Sequence, residues 1–314
     1  MRGWDTYWEG TRDAEAYASG GVSHPVVTSF WDKTLGNPLT TPLGSKILDI
    51  ATGSGAVVER LVQQPGTKDC EVTCVDISAA AIDVVRGRFP NVVGVVADAR
   101  SIPLDSGRYD LVTSQFGIEY AGLAAIDEAS RLLAPGGSLI LMMHIQPGII
   151  FRECSTALDA IRRTQKSRFV PHSLRFFEAG FAAVNGADRA PYDKAGLHLN
   201  PAIQEIESIL SEHGEHVAGD TIARLYSDVQ QIHGRIQHYD PNEVLGWLRT
   251  MGRELSEYEE RMASMCGAAT DDKHFREVCE NLHGQGLDII AGEPLSATND
   301  DLPIAWILHA IRSN

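Results

Sequence analysis

Three carboxylates occupy positions from which a chain can grip a nucleoside. Asp49 lies in the apolar run Ile47-Leu48-Asp49-Ile50-Ala51, just ahead of a turn with two glycines one residue apart, Gly53 and Gly55. With no Cβ in the way, such a turn lets backbone N–H groups approach a ligand closely. A dinucleotide turn wants a third glycine three residues later, and that position is Val58. Asp76 closes the next apolar run, where a carboxylate accepts hydrogen bonds from both hydroxyls of a ribose. Asp98, in Ala97-Asp98-Ala99, follows a third run. A carboxylate there suits an adenine amine, and the following N–H suits a ring nitrogen. Asp49 can hold a cationic amino group, directly or through water. Acids at these places repel a pyrophosphate and suit a nucleoside that carries a cation and no phosphates.

A second set could act on whatever meets that nucleoside. In open α/β sheets, ligands sit at the carboxyl ends of the strands. His144 follows the fifth apolar run and is the best base candidate, because an imidazole titrates near neutrality. It reads equally as a residue that orients the loop or caps the next helix. Glu119, after the fourth run, suits a cationic acceptor group, a base or a structural salt bridge. Tyr120 suits a pocket wall or ordinary packing. His213 with His216, and His233 with His238, lack an acidic or cysteine partner to complete a metal set, so no metal is expected.

These residues need elements to position them. Strands are predicted at 46–50, 71–75, 92–97, 110–114 and 138–143, and helices at 56–63, 79–88 and 123–133. Pro135-Gly136-Gly137 reads as a turn ahead of the fifth strand. From 147 to 267 strand patterns vanish. Ile149, Ile150, Cys154, Ala157, Leu158 and Ile161 form one helical stripe, and Ile203, Ile206, Ile209 and Leu210 another. Asp240-Pro241 opens a long helix. A helix at 272–283 and two strands, 286–290 and 304–311, restore the α/β texture and suggest an antiparallel pair at the sheet's end. The expected division is an aromatic N-terminal segment at 1–43, an α/β domain at 44–146 and 268–314, and a helical insertion at 147–267.

The formal net charge of −15, from 42 acidic and 27 basic residues, makes nucleic acid or an anionic membrane a poor default partner. Arg162, Arg163, Lys166 and Arg168 read as a solvated helix face. No window has the apolar length of a membrane span, and residues 1–20 lack a signal-peptide pattern. Five cysteines without C-x-x-C spacing read as reduced thiols in a cytoplasmic protein.

With these landmarks in order, the chain resembles the class I S-adenosylmethionine-dependent methyltransferases. Ile47 to Gly55 is similar to their first motif, Asp76 and Asp98 to the ribose and adenine landmarks, Tyr109 to Phe116 to the fourth-strand motif, and Leu132 to Leu139 to the turn before strand five. The resemblance covers about 44–145 and 270–312 and implies a doubly wound, seven-stranded, mostly parallel sheet whose last strand is antiparallel. It implies that Asp49, Gly53 and Gly55, with Ala51 in the same turn, hold the methionine part of the cofactor. Asp76 then binds the ribose, Ile77 the adenine face, and Asp98 and Ala99 the adenine edge, with Ser114 or Gln115 near the sulfonium. In many small-molecule members an N-terminal segment covers the cofactor, a role open to Trp4, Tyr7 and Trp8. The helical insertion is expected to roof an acceptor pocket and is also a candidate dimer interface. The activity so implied is methyl transfer to an N, O or S atom of a small metabolite or natural product. Alternatives are a protein or RNA methyltransferase and a regulatory protein that binds the cofactor without turnover.

Overall fold

The computed structural model describes residues 21, 23–42, 44–298 and 301–313. Trp4, Tyr7 and Trp8 lie outside the described residues. Two compact units are present, one made of 1–153 and 264–314 and the other of 154–263.

The first unit is built on a seven-stranded sheet. Its strands are β1 (Lys46–Ile50), β2 (Glu71–Asp76), β3 (Val93–Val96), β4 (Tyr109–Gln115), β5 (Leu133–His144), β6 (Leu287–Leu295) and β7 (Ala305–Arg312). The order across the sheet is β3-β2-β1-β4-β5-β7-β6. The first five strands pair in parallel, and β7 runs antiparallel to both β5 and β6. Chain order reverses between β1 and β4. The connections leave those two strands in opposite directions and open a crevice at their carboxyl ends.

Helices α1 (Pro25–Leu35), α2 (Ala56–Gln63), α3 (Ala79–Arg88) and α4 (Leu123–Leu132) accompany the first strands. Val58 is fully buried in α2, so the side chain at the third-glycine position fills core space that a glycine would leave empty. Asp110 starts β4 with a structural contact, its carboxylate accepting the Lys46 N–H at 2.8 Å. Pro135-Gly136-Gly137 does not separate helix from strand as expected. β5 begins at Leu133 and passes through these residues as an irregularity against Tyr109 and Leu111 of β4. Gly136 supplies a φ of +73° there, and a Cβ on Gly137 would stand 2.9 Å from the carbonyl oxygens of Ala134 and Tyr109.

The chain enters the second unit along α5 (Ile149–Lys166) and leaves it along α9 (Pro241–Ala268). Between them come α6 (Phe169–Val184), α7 (Ala190–His213) and α8 (Thr221–Gly234). The basic run on α5 is more than a solvated face. Arg163 reaches Glu205 at 2.8 Å and Glu212 at 2.7 Å on α7, and Arg162 reaches Glu259 on α9 at 2.9 Å.

Back in the first unit, α10 (Asp272–Gly284) packs its Phe275 ring on Trp306 of β7, with centroids 4.1 Å apart and planes 10° apart. Trp306 donates its indole N–H to the Thr270 carbonyl at 2.9 Å. Thr270 also donates its N–H to the His144 carbonyl at 2.8 Å and accepts the Gln146 N–H at 2.9 Å. The segment entering α10 therefore pins the carboxyl end of β5, where His144 stands.

Candidate active site

The sheet brings Asp49 and Asp76 to the same end of neighbouring strands. Asp49 is buried, with its two oxygens accepting the hydroxyls of Thr52 at 2.6 Å and Thr113 at 2.8 Å. Loss of water raises its carboxyl to about 6. The two hydroxyls oppose that rise, and the charge of Asp76 adds to it. Asp76 accepts the Gly53 N–H at 2.9 Å on one oxygen and the Ser78 N–H at 2.9 Å on the other. The glycine turn is thus tied to the end of β2. Gly53 and Gly55 take φ of +52° and +85°, which favour glycine. Arg88 holds the turn from outside, donating to the Ser54 carbonyl at 2.6 Å.

Beside Asp76 the chain exposes an apolar side chain, Ile77, with half of its surface in solvent. Asp98 stands after β3 in a forked ion pair with Arg100, whose guanidinium holds the carboxyl down at about 2. The Asp-x-Arg spacing was a signal for that pair, and sequence reasoning passed over it. Ala99 is partly buried against the core.

Both strands that border the crevice leave the sheet through a non-glycine residue in left-handed backbone. Ala51 follows β1 at φ +54°, and Phe116 follows β4 at φ +52°. Such conformations cost about 1–3 kcal/mol each and persist where surrounding contacts over-determine them. Gly117 shows one of those contacts, since a Cβ on it would stand 2.5 Å from the Ala51 Cβ and 3.1 Å from the Ala51 carbonyl oxygen. Gly117→Val should therefore cost about 1–3 kcal/mol by overpacking and weaken S-adenosylmethionine binding, read by denaturant unfolding and calorimetry. Adding Ala51→Gly to it should recover part of both losses. Full affinity and stability in the single variant would refute the close approach.

Ser114 and Gln115 end β4 with different surroundings. The Ser114 hydroxyl accepts the Ile118 N–H at 3.2 Å and so caps the short 3-10 turn Ile118–Ala121. The Gln115 amide nitrogen is buried with no hydrogen-bond partner among the described residues.

That turn delivers Glu119 to His144. Glu119 Oε1 accepts the His144 backbone N–H at 2.9 Å and pairs with His144 Nδ1 at 2.7 Å. Both side chains are buried. An imidazole whose Nδ1–H is given to a carboxylate keeps Nε2 as the basic nitrogen, with ring orientation and tautomer both set. Phe116 lies against the His144 ring with centroids 4.6 Å apart, and Tyr120 meets it edge-on at 5.9 Å. Glu119, Tyr120 and His144, three separate candidates in the sequence, form one cluster. The part played by Phe116 as its wall was not singled out beforehand.

Fold and site form an α/β domain with a buried acid–imidazole pair beside the crevice between β1 and β4. Residues 47–137 match a family described as a methyltransferase domain. An uncharacterised methyltransferase of Schizosaccharomyces pombe is 29% identical over 175 residues, covering 55% of this chain and 67% of that one. The ubiquinone/menaquinone biosynthesis C-methyltransferase UbiE of Ectopseudomonas mendocina is 27% identical over 179 residues, covering 54% of this chain and 65% of that protein. The chain thus spans about two thirds of the length of these curated relatives. The solved carbon methyltransferase CurJ aligns over 93% of this chain and 56% of that one, at 12% identity and a TM-score of 0.47. Residues 47–137 thus carry a methyltransferase domain, and the chain is similar over about half its length to methyltransferases. No described helix is long and apolar enough to cross a membrane, and the described residues contain no group of three or more His, Cys, Asp or Glu placed to hold a metal.

Proposed function

We propose that this protein methylates a small molecule at an atom that must lose a proton, with His144 as the base and Glu119 as its positioning partner. The observation that carries the reading is the double grip of Glu119 Oε1 on the backbone and ring of His144. A thioether or tertiary amine acceptor has no proton to lose and needs no such pair. Oxygen, nitrogen and sulfur acceptors bearing hydrogen do need one, and so does an acidic carbon. A positioned base contributes roughly 10²–10⁴-fold, and alignment can contribute on the order of 7–11 kcal/mol.

The cofactor reading rests on the residues of the crevice. A buried acid at Asp49, a second at Asp76 and an exposed apolar Ile77 suit an amino group, a ribose and an adenine face in turn. S-adenosylmethionine, when bound, supplies an already activated methyl group on a sulfonium. Asp49 would hold the cationic amino end, Ala51, Gly53 and Gly55 would line the methionine part, and Asp76 would accept from the ribose. Asp98 and Ala99 would meet the adenine edge, and the Gln115 amide would complete its hydrogen bonding on the ligand. The charge of −15 supports a small acceptor over RNA. The test is a metabolite extract incubated with methyl-labelled S-adenosylmethionine and resolved by mass spectrometry. A labelled small molecule bearing a new methyl on O, N, S or an acidic carbon is the expected product. Label confined to protein or RNA would overturn the reading.

A further inference from the structure

β3 runs beside β2 with Val96 opposite Asp76, and the Ala97 N–H donates to the Asp76 carbonyl at 2.9 Å. Ile77 and Asp98 therefore leave the sheet from adjacent strand ends. The first presents a half-exposed apolar side chain and the second a partly exposed carboxylate. With its carboxyl held down at about 2, Asp98 is ionised at neutral pH and only accepts hydrogen bonds.

A carboxylate has about four lone-pair sites. Arg100 directs four contacts at them. Its backbone N–H and its Nε reach Oδ1 at 2.9 and 3.0 Å, and its Nε and Nη2 reach Oδ2 at 3.1 and 2.5 Å. A further donor at Asp98 has to displace a guanidinium hydrogen. The backbone bond can stay while it does so. The Arg100 side chain is more than half exposed, so it can leave for water at the modest cost of an exposed ion pair. We propose that Arg100 is a specificity-determining residue of the adenine site, a built-in competitor for the carboxylate that would otherwise read the 6-amino group. The proposal rests on the S-adenosylmethionine reading above, with Asp98 at the adenine edge. Its consequence is a site with little preference at the 6-position, because the bond gained from the amine is offset by the bond lost from the guanidinium. The nucleoside is then held chiefly through its ribose, on Asp76, and through the ring face, on Ile77.

The test titrates S-adenosylhomocysteine, and its analogue lacking the 6-amino group, into the wild-type protein and Arg100→Met by calorimetry. Methionine keeps the backbone N–H on Asp98 and removes the competitor. The two ligands carry equal charge, so the loss of the arginine charge cancels in the ratio of their affinities. The wild type should bind them within about twofold of each other. In Arg100→Met the amino ligand should gain about fivefold over the analogue, the weight of an exposed ion pair. Asp98→Ala in that background should abolish the gain. Both ligands bound with a ratio that Arg100→Met leaves unchanged would overturn the proposal and leave the cofactor reading standing. A gain that survives Asp98→Ala would also overturn it. No binding of either ligand by either protein would overturn both readings.

Discussion

His144→Asn should lower methyl transfer by about 10²–10⁴-fold while leaving S-adenosylmethionine affinity within a few-fold. The substitution is chosen for its shape. An asparagine places an amide nitrogen near the position of Nδ1, so Glu119 Oε1 keeps both of its donors and the turn at Ile118–Ala121 keeps its anchor. What disappears is the basic Nε2. Asp49 and Asp76, proposed to hold the cofactor, lie on β1 and β2, away from the imidazole's strand. Turnover measured with the acceptor from the labelled-cofactor screen, beside calorimetric titration of the cofactor, separates the two effects. A variant with wild-type turnover would remove His144 from the chemistry, and one that loses both turnover and cofactor binding would point to a structural role.

The second large effect lies in the cofactor half. Asp49 is buried, and its carboxyl is raised to about 6 mainly by loss of water. An acid whose pKa is higher in the folded protein binds its proton more tightly there. Stability therefore falls as pH rises from the ordinary carboxylate range through 6, and the full penalty is present at neutral pH. A shift from 3.8 to about 6 corresponds to about 3 kcal/mol. Asp49→Asn removes the charge yet still has an oxygen and an amide for Thr52 and Thr113. The ligand-free variant should be more stable at pH 7 by up to about 3 kcal/mol, with the gain vanishing near pH 4. It should also bind S-adenosylmethionine more weakly. Wild-type affinity should rise with pH until Asp49 is ionised near 6 and then level off, while that of the variant stays flat over the range. Denaturant unfolding at pH 4 and pH 7 with calorimetry across the range reads all of these. A variant less stable than wild type at pH 7 with unchanged affinity would contradict the assignment of Asp49 to the cationic end.

Much of the scaffold was visible in the chain because its signals are local. The glycine turn, the strand-end acids and the spacing of apolar runs placed β1, β2, α2 and α3 within a residue of their positions. The Pro135-Gly136-Gly137 segment misled, because turn chemistry served a bulge inside β5 that only pairing with β4 could reveal. At the site the residue types were legible and their partners were not. Nothing near Glu119 in sequence announces that it grips His144, 25 positions away, on the neighbouring strand. Nor does Gly117 announce that it must clear Ala51. Such contacts depend on where two strand ends meet, which is a property of the sheet.

The account turns on the Glu119–His144 pair acting as a base, and the pH dependence of turnover in the wild type and in Glu119→Gln tests it most directly. A glutamine keeps an oxygen for the His144 N–H and Nδ1–H but no charge to steady an imidazolium. The predicted result is a plateau lowered by about 10²-fold, with cofactor affinity retained. A variant whose plateau coincides with that of the wild type would contradict it.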